Sequence, residues 1–359
     1  MSRWHERAIY IFPCPPQVLR ARPSFSLARR SPLPPLRVAG LAAGARLEGE
    51  TVKSVVLFLV KWAVIFLIVS VAAFVIVRMM PTTPVEKWLD AYHLPHTDAN
   101  VAFLTHRMGL DQPQAIQYWK WISHFFMGDW GVSLVSGEDI RGRFLAKMPY
   151  SFSIGIAGIV AGGIAAFFLG YRAALYQGGF SDRLSAFATV FAQCVPQFIV
   201  AILIINALGV RLKVVTFFTG DGKWALVSAI TITALYCAGI LSRVVRAAFR
   251  EEMGKSYVKF AVSRGFSKEE VLLKHAYKPV VSKLISAMTT RFAGVFGGST
   301  VLEFAFAIPG LSTMLVSSMD SRDYNVLQTY ILVVIIWMFL VHAVFNITLG
   351  ILNARDVHE

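Results

Sequence analysis

Long apolar runs dominate this chain and set its elements. Six of them, residues 55–78, 150–171, 185–208, 224–241, 280–306 and 326–349, each approach the roughly 20 residues that a helix needs to cross about 30 Å of hydrocarbon. The third is interrupted by Pro196, and the fifth holds Lys283, Arg291 and Glu303. Between the first two runs lies a long polar connection, residues 79–149. Within it, residues 97–108 and 114–127 keep a helical period, with Trp119, Trp121, Phe125 and Phe126 placed to form a small core or lie on a membrane. Asp111-Gln-Pro113 and Gly128-Asp-Trp-Gly131 supply turn signals.

The first 52 residues follow another rule. Pro13, Pro15, Pro16, Pro23, Pro32, Pro34 and Pro35 alternate with arginines, and no helical period survives that proline density. The segment lacks the apolar core of a signal peptide. Residues 1–52 are expected to be a disordered extension, and translation is expected to start near Val52, before Lys53 and the first apolar run. Residues 53–359 form the membrane domain.

Composition sharpens this picture. Of 359 residues, 56% are hydrophobic and 16% charged, against about 25% charged in ordinary soluble domains. That excludes a typical soluble enzyme. The net charge of +14 would suggest nucleic acid in a soluble protein, but here the cations flank apolar runs, so no nucleic-acid partner is expected. Lys and Arg crowd the segment before the first run and the loop at residues 242–279, while Arg322 alone lies between the last two runs. The positive-inside rule then puts both termini and the basic loop in the cytoplasm and residues 79–149 outside.

Little in the chain suggests catalysis. Gly137-Glu-Asp-Ile-Arg-Gly142-Arg143 lacks the lysine and hydroxyl of a phosphate-binding loop, and no HExxH or GxSxG occurs. No catalytic residue is expected. Cys14, Cys194 and Cys237 are far apart and form no pair motif. His93, His96, His106 and His124 fall in the long connection, and Pro95 between the first two points to a turn, so no metal site is expected. His342 reads as a packed histidine inside a span.

Charges within the apolar runs are more informative. Lys61 and Lys283 lie near run ends and can snorkel. Arg291 is about 16 Å along a helix from Val280, near mid-membrane, where a charge should face a water-filled path or a partner. Arg291 and Glu303 are therefore candidate pore or partner contacts. Gly158-Ile-Val-Ala-Gly162 and Gly294-Val-Phe-Gly-Gly298 suit close helix packing against another subunit. In the basic loop, a helix at residues 256–263 should break at Gly265, and Ser267 with Glu270 should form a capping box for a second helix at 268–277. Two short helices meeting at a glycine make a knob that a soluble partner can grip; the alternative is a basic loop resting on anionic lipid.

The string Tyr257-Val-Lys-Phe-Ala-Val-Ser-Arg-Gly265, followed by Val271-Leu-Leu-Lys-His-Ala276, resembles the loop motif of ABC importer permeases, above all their peptide/nickel branch. Met108-Gly-Leu-Asp-Gln-Pro113, Gly128-Asp-Trp-Gly-Val-Ser133, Glu303-Phe-Ala-Phe-Ala-Ile-Pro-Gly-Leu311 and Ser321-Arg-Asp-Tyr324 resemble further strings of that branch in the same order. The chain departs from the pattern at Lys259-Phe260-Ala261, where the family has Glu-Ala-Ala, and at Thr82-Thr-Pro84, Ser282-Lys283 and Asn353-Ala-Arg355. The resemblance implies an all-α, polytopic membrane protein with six transmembrane helices and the ABC type I importer permease fold, in the bacterial inner membrane. It implies a second permease subunit, two ATP-binding ATPase subunits that carry ATP and Mg, an extracytoplasmic substrate-binding protein and surrounding lipid, with no cofactor bound by this chain. Tyr257, Lys259, Ala261, Gly265 and His275 would form the ATPase-coupling contact. The cargo implied is a di- or oligopeptide or nickel as a metal chelate. An ion-coupled carrier or a non-transporting membrane scaffold is the alternative; a carrier would show inverted repeats, and none is visible between the two halves.

Overall fold

The computed structural model describes residues 36–218, 222–295 and 299–354. The chain divides into two units after Leu59, and the packing below is that of the second. Every element named here is helical.

The backbone of α1 runs Leu36–Arg78. The expected disordered extension thus lies outside the described residues up to residue 35, while residues 36–52 are drawn as helix. The last proline of the extension is Pro35, and the alanine-rich residues that follow favour helix. The long connection then forms α2 (Pro84–Ala91), α3 (Asp98–Arg107) and α4 (Gln114–Phe126). Both predicted helices are there. The unpredicted α2 starts with a reciprocal capping box between Thr83 and Glu86 and a proline in its first turn. The four aromatic residues of α4 divide: Phe125 joins Ile122, Leu332 and Ile335 in a buried cluster, whereas Trp119 and Phe126 stay exposed.

The second span begins earlier than expected. Asp139 caps α5 (Ile140–Phe152), its carboxylate accepting from the Gly142 N–H at 2.6 Å. A π-helical turn at Ser153–Ala157 joins α5 to α6 (Gly158–Leu175), so one apolar rod covers Ile140–Leu175. Residues 140–149 are therefore helical and continuous with the span, with Arg141, Arg143 and Lys147 on this stretch. Pro149 sits inside the rod, about one turn before the π segment.

α7 (Phe180–Cys194) and α8 (Gln197–Ile204, continued as a π-helix to Arg211) meet at a 99° bend. Pro196 disfavours helical backbone at Val195, which is extended at φ −98 and ψ 118. The Tyr236 hydroxyl donates to the freed Val195 carbonyl at 2.7 Å. α9 (Lys223–Met253) packs along α6. Gly162 permits that approach: a Cβ there would sit 2.6 Å from the Ala234 carbonyl oxygen. The expectation that the Gly158–Gly162 string faces another subunit is corrected, because both glycines abut α9 of the same chain.

The short helices α10 (Ser256–Ser263) and α11 (Lys268–Lys274) follow, then α12 (Tyr277–Ala293), α13 (Thr300–Ala305), α14 (Leu311–Asp320) and α15 (Tyr324–Ala354). The fifth predicted span is thus not one helix. α12 has 17 residues, about 26 Å, and ends at Gly294, which caps the helix and makes no close packing contact; Gly298 lies outside the described residues. Among the described residues, four helices are long and apolar enough to cross a membrane, and the bent α7–α8 pair makes a fifth. The six apolar runs therefore map onto four whole helices, one bent pair and one shorter broken segment. This is compatible with the six-helix permease architecture.

Candidate functional site: the α10–α11 loop and the Arg291 cleft

The basic loop is built from backbone caps. Gly265 has φ +95, a conformation that glycine adopts without a Cβ penalty. It ends α10 in a Schellman turn: the Phe266 N–H bonds the Ala261 carbonyl at 3.3 Å and the Gly265 N–H bonds the Val262 carbonyl at 3.0 Å. Two residues on, Ser267 Oγ accepts from the Glu270 N–H at 3.1 Å and starts α11. Only that half of the expected capping box forms. The Glu270 carboxylate instead pairs with Lys274 at 2.6 Å, and α11 ends at Lys274, short of residue 277.

Four side chains pin this knob to the rest of the bundle. Val258, Val271, Leu272 and Ala276 are buried beneath it. Glu252, at the end of α9, is 1% exposed. Its carboxylate accepts from the Tyr257 hydroxyl and from Lys255 Nζ, both at 2.7 Å. Burial first, and then the Glu252 contact, push the Tyr257 phenol far above the ordinary tyrosine range. Lys283 of α12 reaches Glu251 at 2.6 Å, and the Tyr176 hydroxyl beyond α6 donates to Glu269 at 2.7 Å. The knob is thereby tied to α9 and to the end of α6, and α9 in turn to α12.

The expected contact residues separate on this frame. Lys259, Gly265 and His275 are exposed, and Ala261 is half-buried. Tyr257 is 41% exposed, but its hydroxyl points inward to Glu252. Phe260, Phe266 and Leu273 also stand in the open, with Arg264 over the Phe260 ring. This is an apolar surface with a basic rim. Sequence reading missed Glu252, whose only signal was an acid beside a tyrosine five residues on. It also missed Asp182, which pairs with Arg246 and with Arg250; these two arginines are thus held inside the fold and are not free loop charges.

Arg291 and Glu303 have opposite surroundings. Arg291 is exposed and lines a cleft of about 220 Å³ with Gln197, Thr233, Cys237, Thr290 and Ser299. Glu303, expected as a second pore or partner contact, is 0% exposed. Its carboxylate accepts from Ser151 Oγ and Ser299 Oγ at 2.7 Å each, from the Ser312 N–H at 2.9 Å and from the Thr313 N–H at 3.2 Å. The last two are orphan donors of the α14 N-terminus, where a carboxylate is stabilised. Glu303 is an internal fastener and not a channel wall.

His96, His106 and His124 each pair with a separate aspartate, Asp90, Asp111 and Asp129. The Asp111 carboxyl is held below its ordinary range chiefly by the His106 hydrogen bond, which outweighs a smaller opposing effect of desolvation. Among the described residues no group of three metal-binding side chains assembles.

Residues 158–356 match the family described as binding-protein-dependent transport system inner membrane component, and residues 52–153 match the N-terminal domain of the same membrane components. The chain belongs to this family. Similar curated proteins include the glutathione transport system permease protein GsiC of Salmonella paratyphi A, 30% identical over 294 residues, which span 80% of this chain and 93% of that protein. The GsiC of Shigella boydii serotype 4 is 31% identical over 293 residues, 80% of this chain and 92% of that protein. Salmonella typhimurium GsiC is 30% identical over 294 residues, with coverage of 80% and 93%. The chain is thus an inner-membrane permease subunit of a peptide/nickel-type ABC importer. Permease components of this kind do not hydrolyse ATP; separate ATPase subunits do.

Proposed function

We propose that this permease subunit passes short peptides into the cytoplasm and that its α10–α11 knob is the handle by which the ATPases move it. The observation that carries this reading is the Gly265 turn: it presents an exposed apolar and basic surface while Glu252 and Glu269 fix the same knob to α9 and to the end of α6. ATP-driven closure of two ATPase subunits would then displace the knob and the spans as one body, a rigid-body transition biased by nucleotide. The basic loop and both termini face the cytoplasm, as the positive-inside rule requires. A second permease subunit completes the pore, and an extracytoplasmic binding protein delivers cargo to the α2–α4 side.

The cleft at Arg291 supports a peptide cargo. Arg291 forms no ion pair among the described residues, and its neighbours in the cleft include Gln197, Thr233 and Thr290. A cation so placed in a span belongs beside water or an anion, and a peptide brings a terminal carboxylate. The relatives named for glutathione transport point the same way.

The test is uptake by the complete importer in proteoliposomes, with labelled glutathione and labelled nickel offered in turn. ATP-dependent entry of the peptide is the expected result. Gly265→Val, strained by its positive φ and with open space around it, should abolish uptake while the chain still inserts. Nickel uptake without peptide uptake would overturn the cargo; uptake that persists without ATPase subunits would overturn the coupling.

A further inference from the structure

A second cleft, of about 240 Å³, opens where α4 crosses the ends of α1 and α15. It shares no lining residue with the Arg291 cleft. Arg78, Lys120, Trp121 and Gln328 line it, and all four offer N–H groups. Gln328 is 1% exposed, and neither its Nε2 nor the buried Trp121 Nε1 has a hydrogen-bond partner. Buried donors are nearly always satisfied, and leaving one unmet is costly. Neither cation forms a salt bridge among the described residues; Asp111, whose carboxylate feels the Lys120 charge, is bonded to His106. Arg78 donates to the neutral Gln117 Oε1 at 2.7 Å and stacks on Phe74, and Lys120 donates to Gln112 Oε1 at 2.8 Å. One acid, Asp129, lies in the lining, but its oxygens are engaged by His124 Nδ1 at 3.2 Å and the Gly131 N–H at 3.0 Å.

We propose that this cleft is an oxyanion site that takes one phosphate or carboxylate group. Two unmet N–H donors and two cations without a salt bridge among the described residues are what such a group satisfies through charge-assisted hydrogen bonds. The position selects two sources. Arg78 ends the first span and Gln328 lies about one turn inside the last, which is headgroup depth, so the group can belong to an anionic phospholipid or to a small free anion. Bound there, it bridges α4 to α1 and α15 and fastens the α2–α4 layer to the spans.

The test uses the assembled importer in nanodiscs and reads amide exchange of α4. One arm compares phosphatidylcholine with a phosphatidylcholine–phosphatidylglycerol mixture. The other keeps phosphatidylcholine alone and adds inorganic phosphate. Slower exchange in the first arm assigns the group to lipid, and saturable slowing in the second assigns it to a free anion. Gln328→Met, close in volume and without the donor, and Lys120→Gln, at an exposed position, should each weaken the effect about tenfold, the size of one charge-assisted bond. Arg211→Gln, outside the cleft, should leave it unchanged. No slowing in either arm, or slowing equal in wild type and both cleft variants, overturns the proposal and leaves ordered water as the occupant. Peptide uptake is read separately, so loss of transport with anion protection intact would touch only the coupling reading.

Discussion

Arg291 and Glu303 stand twelve residues apart in one apolar run and look alike as sequence. Each is a charge where hydrocarbon is expected. The structure resolves them in opposite ways. Glu303 is wholly enclosed and saturated by hydroxyls and by the first turn of α14. Arg291 is open to a cleft of mixed polar and apolar lining. The difference teaches that an intramembrane charge becomes structural when the fold supplies enough partners and stays available to a ligand or partner when the fold leaves it space.

Four substitutions would break or sharpen that contrast. Glu303→Ala should have the largest effect, because it strips partners from Ser151, Ser299 and two backbone N–H groups at once. A loss of about 3–5 kcal/mol is expected from unmet buried donors, read as a collapse of the folded fraction on detergent-resistant size exclusion. A monodisperse, stable variant would show that Glu303 is no fastener. Arg291→Gln should insert and fold normally but lower peptide uptake about tenfold, the value of one lost ionic contact; full uptake would remove Arg291 from the path. Glu303→Gln keeps the shape and one acceptor oxygen, so a cost of about 1–3 kcal/mol is expected, clearly less than for alanine by the same size-exclusion measurement. Ser151→Ala should cost least, about 1 kcal/mol: it removes one donor to Glu303 and one acceptor for the Leu311 N–H.

Much of this was legible from local chemistry. Pro196 predicts the bend, since proline acts on its own backbone and the residue before it. Gly265 and Ser267 predict the loop turn and the α11 start, since caps span only a few residues. The helices at 98–107 and 114–126 follow from periodicity. The rest depended on partners distant in sequence. Ser151 is 152 positions from Glu303, and no spacing rule could have joined them. The Gly158–Gly162 string was read as an intersubunit surface because a small-residue motif states that something approaches closely, not what; the answer is α9. The break at Gly294 was hidden by the apolar residues on both sides of it. α2 was overlooked although Thr83-Pro84 with Glu86 is a strong start signal, because the helix is only 8 residues long and too short to show a period.

The unbroken rod Ile140–Leu175 has 36 residues, about 54 Å at the α-helical rise, well beyond a hydrocarbon layer of about 30 Å. Its start carries Phe144 against Trp130 of the first connection, and just past its end Tyr176 holds Glu269 of the basic loop. A single stiff member therefore touches apparatus at both membrane faces. Under the coupling proposed above, a displacement of the loop would reach the opposite face as leverage along one beam, whose built-in seam is Pro149 with the π turn at Ser153–Ala157.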